Sequence, residues 1–329
     1  MIIGLRTVNI GGSIGGMGRP TALAAVLLAV ILAGCTMTTG SSDNGGTDTS
    51  TATGGSTGLS GPVIAVKIDN VGDARPSTGL SQAQVVYVEP VEGGLTRIVA
   101  VFTSPYPSVI GPVRSARETD LDLLGQYGRP VFAFSGSVPE LIPLLHNTDL
   151  IDASQGSVAK AYVRQSTHPA PHNLYLHPSQ LPTGSAASQP ALEFGAAPAG
   201  GTPTTQQKAT YSAASFAFAW SASAGRWLIT MDGTPYRTTE AGQLGAATVV
   251  LQRVATHPEP WPEDSTGAIA PVAQTVGTGS ATILRDGQSY AATWSRSAVS
   301  APTRFTVTSS GADLPLANGP VWVLLLPTN

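Results

Sequence analysis

Three short apolar runs, Val63–Ile68, Val85–Val88 and Ile98–Phe102, lie close together between Pro62 and Arg117, and each gives way to polar or turn residues. Val63–Ile68 is near-continuous in apolar, β-branched residues, as a buried strand is. Asp69-Asn70 ends it, and Arg75-Pro76-Ser77-Thr78-Gly79 reads as a loop. A second strand over Gln84–Glu89 meets Pro90, which cannot donate to a ladder and so marks a strand end or an edge. Glu92-Gly93-Gly94 is a turn signal, and Thr96–Thr103 is the returning strand of a hairpin. The strands act as scaffold, and the charged groups gather at their ends and in the loops: Asp69, Asn70, Arg75, Glu89, Glu92, Arg97, Arg114 and Arg117.

Further along, Ser115 and Glu118 have capping-box spacing, and Leu121, Leu123 and Leu124 supply apolar positions, so a helix is expected from about Ala116 to Gly125. Arginine is not favoured at a helix start by the macrodipole. Arg114 and Arg117 beside free N–H groups therefore make sense if something anionic docks there. Pro130–Phe134 reads as a strand, Pro139–His146 as a short helix and Leu150-Ile151-Asp152 as another strand. The proline-punctuated stretch from Tyr162 to Tyr175 reads as an irregular loop. Residues 182–210, rich in Ala, Gly, Pro, Thr and Ser, look in part like a linker.

The chain then changes character. Ser215–Trp220, Arg226–Met231, Ala247–Arg253, Ala281–Leu284, Tyr290–Trp294, Thr303–Val307 and Val321–Leu326 read as strands, and Asp232-Gly233 and Asp286-Gly287 are hairpin turn signals. The fold class expected is α+β: an N-terminal mixed α/β layered domain with a smaller β-rich C-terminal domain. The boundaries are a leader over 1–34, a cysteine and tether over 35–60, a first domain over 61–185, a linker or insertion over 186–210 and a second domain over 211–329.

Charged residues make up only 11% of the 329 residues and the formal net charge is −3, against about 25% charged in ordinary globular chains. Lysine occurs only at Lys67, Lys160 and Lys208. A near-neutral, lysine-poor chain argues against nonspecific nucleic-acid binding. The single cysteine, Cys35, excludes an intramolecular disulfide and any cysteine-based metal site. It follows an apolar stretch that begins after Arg19 and ends Leu32-Ala33-Gly34-Cys35, the arrangement of a signal peptide closed by a bacterial lipobox. In that reading the thiol takes a diacylglycerol, Cys35 becomes the new N-terminus, and several acyl chains hold the protein on the extracytoplasmic face of the cell membrane. The alternative is an uncleaved anchor with a buried cysteine. Met17-Gly-Arg-Pro makes the more ordinary start for such a peptide, so residues 1–16 read as an upstream extension. Residues 36–60, nearly all Thr, Ser, Gly and Asp, cannot bury enough apolar area to order themselves, and they read as a tether that holds the folded part about 25–30 Å from the bilayer.

The segments Lys67-Ile-Asp-Asn70, Ala74–Phe102, Ile110–Glu118 and Pro171–Tyr175, followed by Trp227–Thr234, Gly277–Gly287, Trp294 and Ser300–Phe305, resemble the YerB-like bacterial lipoprotein family. The resemblance covers residues 61–329. It implies a lipid-anchored envelope protein of two domains, and it carries no established activity and hence no catalytic residue. The positions that match its motifs are Asp69, Asn70, Arg75, Glu89, Glu92, Arg97, Arg114, Arg117, His172 and Asn173. Long insertions rich in Ala, Gly and Thr, such as Gly195–Thr210, depart from the pattern and bear on the domain boundaries.

Several chemistries compete for these residues. Arg114 and Arg117, joined by Arg75 and Arg97, match a phosphate or carboxylate in a bidentate fork, or they form an internal network with Glu89, Glu92, Asp120 and Asp122. Glu89 and Glu92 are a carboxylate pair for acid–base work only if their pKa values are pushed apart. His168, His172 and His177, with Asp152, sit in proline-broken sequence without a metal-ligand motif. His172 and Asn173 read instead as loop-fixing residues beside the cleft. Ser135-Gly136-Ser137 lacks the elbow of a serine hydrolase, and there is no phosphate-binding glycine loop. No cofactor or metal is expected. The leading expectation is a non-catalytic envelope module binding an anionic cell-wall or lipid-linked ligand. The alternatives are a hydrolase or transferase acting on cell-wall glycan or peptide, and a scaffold for an envelope protein partner.

Overall fold

The structure is a computed structural model that describes Leu59 and residues 61–328. The stretches read as signal peptide, lipobox with Cys35 and, apart from Leu59, tether lie outside the described residues.

The expected hairpin is present. Strand β1 (Ile64–Asp69) and strands β2 (Val85–Pro90) and β3 (Thr96–Phe102) pair antiparallel through β3, which lies between the other two. Strand β2 ends at Pro90, as expected, with Pro90 opposite Thr96 as the last rung of the ladder. Helix α1 (Thr119–Leu124) starts later than the capping-box spacing predicts, and no side chain caps it in the expected way. Instead the backbone N–H of Arg117 donates to Asp120 Oδ2 at 2.7 Å. Strand β4 (Val131–Ala133) runs parallel to β1, helix α2 (Leu141–His146) follows, and β5 (Ile151–Asp152) runs parallel to β4. The stretch read as an irregular loop is bracketed by a small hairpin, β6 (Tyr162–Arg164) and β7 (Leu174–Leu176).

In the second half, β8 (Thr202–Pro203) and β9 (Gln206–Thr210) precede β10 (Ser215–Ser221) and β11 (Arg226–Met231). Short strands β12 (Thr234–Pro235) and β13 (Gly245–Ala246) both pair with β11. Then come β14 (Thr248–Val254), a two-stranded arm of β15 (Thr256–Pro258) and β16 (Pro271–Ala273), the long hairpin β17 (Gly277–Arg285) and β18 (Gln288–Arg296), then β19 (Arg304–Val307) and β20 (Val321–Pro327). Asp232-Gly233 and Asp286-Gly287 have positive φ at both positions, as two-residue hairpin turns require.

These strands build an 11-stranded sheet in the order β19-β18-β17-β14-β20-β2-β3-β1-β4-β5, with β8 on β18, and a five-stranded sheet β12-β11-β10-β9 with β13 on β11. The last strand, β20, runs parallel to both β14 and β2 and so joins the two halves of the chain in one sheet. The described residues accordingly form one compact unit. One face of the large sheet packs Val66, Ile98 and Trp322 against Phe216, Phe218 and Trp227 of the smaller sheet. The other packs Ala65, Val99 and Val323 against Leu121 and Leu124 of α1 and Leu141 of α2. The protein is mostly β-sheet. The helices expected to form a layer are six residues each, too short to cover a face, which corrects the mixed α/β expectation for the N-terminal half. Among the described residues no helix is long and apolar enough to cross a membrane.

Candidate functional site

Side chains alternate along a strand, and this alternation decides where the charges go. On β1, Ala65, Lys67 and Asp69 share a face. On β3 the same face carries Val101, Val99 and Arg97, and on β2 it carries Val85, Tyr87 and Glu89. The register puts Arg97 opposite Asp69 on one side and opposite Glu89 on the other. The apolar rows therefore end in a charged row at one end of the sheet, and Asp69, Glu89 and Arg97 are all buried there.

Lys67, one rung further in, has no exposed surface; its Nζ donates to Asp120 Oδ1 at 2.7 Å and Oδ2 at 2.9 Å. It also forms an ion pair with Glu89. Burial pushes the Lys67 ammonium down to about 8, against the pull of Asp120 in the other direction. The turn Glu92–Gly94, with Gly93 and Gly94 in the left-handed region at φ 68° and 71°, delivers Glu92 to two arginines. Arg97 Nη2 donates to Glu92 Oε1 at 2.9 Å, and Arg117 donates from Nη2 to Oε1 at 2.6 Å and from Nε to Oε2 at 3.0 Å. Burial alone would raise the Glu92 carboxyl, but the Arg117 hydrogen bonds and both guanidinium charges hold it down to about 2. Arg117 is 4% exposed, and its Nη1 meets Ala116 O at 2.8 Å and Glu263 Oε2 at 2.9 Å. The backbone N–H of Glu118 donates to Glu259 Oε1 at 3.0 Å. The places read in sequence as open to an anion, at Arg117 and the start of α1, are thus filled by carboxylates of the β15–β16 arm.

Arg114 is placed differently. Its Nε and His172 Nδ1 both contact one oxygen, Oδ2 of buried Asp69, at 3.1 and 2.7 Å. The Arg114 side chain is 26% exposed and that of His172 18%. Among the described residues nothing hydrogen-bonds Arg114 Nη1, Arg114 Nη2 or His172 Nε2. On the same loop, Asn173 Oδ1 accepts from Arg164 Nη1 at 2.6 Å. Asn70 is a buried linchpin: its Nδ2 donates to Thr96 Oγ1 at 2.9 Å and its Oδ1 accepts from Tyr236 at 2.8 Å. Arg75 lies apart in an ion pair with Asp232, 3.0 Å.

The structure therefore brings Asp69, Glu89, Glu92, Arg97, Arg114, Arg117 and His172 into one region, and ties Asn70, Asn173 and Arg75 to other partners. Sequence reasoning missed Lys67 and Tyr236 and assigned no role to Glu259 or Glu263. Lys67 was detectable as a charge inside an apolar run. Glu259 reaches the site across 141 residues of chain, with no local signal. Among the described residues no group of three or more His, Cys, Asp or Glu is arranged to hold a metal ion.

The N-terminal domain profile of a family described as a protein of unknown function, DUF3048, matches residues 49–191, and the C-terminal domain profile of that family matches residues 207–323. The putative lipoprotein YerB of Bacillus subtilis (strain 168) is 49% identical over 55 residues, which span 17% of this chain and 17% of that protein. The crystal structure of the YerB protein from Bacillus subtilis superposes with a TM-score of 0.66 at 20% identity, covering 81% of this chain and 91% of that one. The likeness to it is one of fold.

Proposed function

The chain belongs to the YerB-like family, with its DUF3048 N- and C-terminal domains, and from that premise we propose a lipid-anchored envelope protein that binds an anionic ligand at Arg114 and His172. The single observation that carries the binding reading is the shared contact on Asp69. One buried carboxylate contacts Arg114 at Nε and His172 at Nδ1, and among the described residues it leaves the two Arg114 Nη atoms and His172 Nε2 without a hydrogen-bond partner. A guanidinium so held loses little freedom when it engages phosphate or carboxylate in a bidentate pair. Arg117 and Arg97 support the site from inside, where carboxylates already engage them. Anchoring rests on the lipobox reading at Cys35 and on the likeness to the Bacillus relative, a putative lipoprotein.

A second reading has its own support. A buried aspartate on Nδ1 fixes the imidazole tautomer and leaves Nε2 as a base, the arrangement general-base catalysis uses. Glu92, held ionised down to about 2, is unsuited to donate a proton at neutral pH, so an enzyme here would rely on His172.

Thermal shift of the full chain against muropeptides, teichoic-acid fragments and phosphorylated sugars tests the binding reading. A ligand at about 100 times its dissociation constant stabilises the fold by about 2.7 kcal/mol. We expect a shift with one anionic class, lost in Arg114→Ala and reduced in His172→Ala while both variants melt normally. A flat response from every panel member overturns the reading. Breakdown of a bound panel member that His172→Ala abolishes would move the assignment to the enzyme.

A further inference from the structure

The arm formed by β15 and β16 places two glutamates on the buried cluster. Glu263 Oε2 sits 2.9 Å from Arg117 Nη1, and Glu259 Oε1 accepts the Glu118 N–H at 3.0 Å. Glu259 is 3% exposed, and so is the side chain of Glu263. The arm is also held by its own ladder, with Glu259 N–H to Ala270 O at 2.9 Å and Glu263 N–H to Ala268 O at 2.7 Å, by Trp261, which packs against the apolar core, and at its root by buried Ala273, whose N–H donates to Thr119 Oγ1 at 2.9 Å.

The charges at this seat do not balance. Arg117 faces Glu92 from the β2–β3 turn as well as Glu263, while Glu259 crowds Glu118 at the start of α1. Arg97 is engaged with Glu92. Other nearby groups are His257 on the arm and Asp122 on α1, both close to Glu118, and Asp264, exposed and close to Glu92. Glu259 Oε2 and Glu263 Oε1 are buried with no donor among the described residues, yet their carboxyls lie within hydrogen-bonding reach of each other. One proton shared by the two carboxyls supplies a donor to this unpartnered pair and removes one negative charge from the seat.

We propose that the arm is a proton-operated latch: a proton shared by Glu259 and Glu263 seats it on Arg117, and loss of that proton frees the 259–270 loop. Burial, then the Glu259 carboxyl, push Glu263 up to about 8 in the seated arm, against an ordinary glutamate value of 4.5. Seating therefore takes up a proton between those values. The seated state is favoured at low pH, weakens by up to about tenfold per pH unit as pH rises through that window, and is constant above it. Lifting the loop takes Glu263 off Arg117 and leaves that guanidinium with Glu92.

Amide hydrogen exchange on the full chain, corrected for the intrinsic pH dependence, reads the latch directly. The Glu118 amide, whose arm protection comes from Glu259 Oε1, is expected to lose up to about a hundredfold in protection between pH 6 and pH 8, while the amides of β3 hold constant and report an intact fold. In Glu263→Gln, which has no proton to lose there, arm protection should be independent of pH. In Glu259→Gln, with the carboxylate neighbour gone, the loss should move to lower pH. Arm protection that stays flat in the wild type, or that falls equally in Glu263→Gln, overturns the latch.

Discussion

An ammonium group with no exposed surface is rare in a protein unless it is paired, and Lys67 is paired with Glu89 and Asp120. Burial still pushes it down to about 8, so desolvation outweighs the attraction. Removing one member of such a group costs more than the group contributes, because the partners remain buried and uncompensated. Lys67→Ala should destabilise the protein by about 3–5 kcal/mol, read as a lower urea midpoint with an unchanged slope. Lys67→Met together with Glu89→Gln, which keeps volume and leaves Asp120 the only carboxylate without its cation, should recover part of that loss. The cluster was partly legible in the sequence. Glu92, Arg97, Arg114 and Arg117 stand out because they end apolar runs or sit in turns. What could not be read was that Arg117 already has Glu263, since an ion pair between distant segments leaves no periodicity in either one.

Hairpin turns were the most legible elements, because their chemistry is local. Asp286-Gly287 joins β17 to β18 and Asp232-Gly233 joins β11 to β12, each with left-handed φ at the glycine, 71° and 75°. The two glycines differ in surroundings. A Cβ on Gly287 would lie 2.8 Å from Trp220 Nε1, whereas one on Gly233 would meet nothing within 4 Å. Gly233→Ala should therefore cost only backbone strain, about 1 kcal/mol, while Gly287→Ala adds the clash and should cost about 2–3 kcal/mol. Paired chemical melts of the two variants check the difference, and equal costs would mean that Trp220 moves aside freely. The helices were harder to place than the turns. Ser115 and Glu118 have the spacing of a capping box, but Glu118 N–H is already taken by Glu259 and Asp120 takes the Arg117 N–H. Tertiary partners displaced the local cap and moved the helix start to Thr119.

At the scale of the whole molecule the decisive strand is the last one. A run such as Val321–Leu326 announces a buried strand, but nothing in it says that it lies between β14 and β2, parallel to both. That placement is a contact between the two ends of the folded chain, and it merges halves that composition alone separates at residues 186–210. Val321, Trp322, Val323, Leu324, Leu325 and Leu326 are each 2% exposed or less. At about 1.5–3 kcal/mol for each such side chain, their burial contributes on the order of 10 kcal/mol, comparable to the whole net stability of about 5–15 kcal/mol typical of a domain. Removing β20 also strips hydrogen-bonding partners from both β14 and β2, in the middle of the sheet, where water would have to enter two cores at once. A chain truncated after Gly319 should therefore have no cooperative melt and no native near-ultraviolet dichroism in either half. For the intact protein, tryptophan fluorescence, to which Trp322 in β20 contributes, and backbone dichroism should trace one coincident unfolding transition. A truncated chain in which the β1–β3 hairpin keeps its exchange protection would mean that the N-terminal half folds without the strand that links it to the rest.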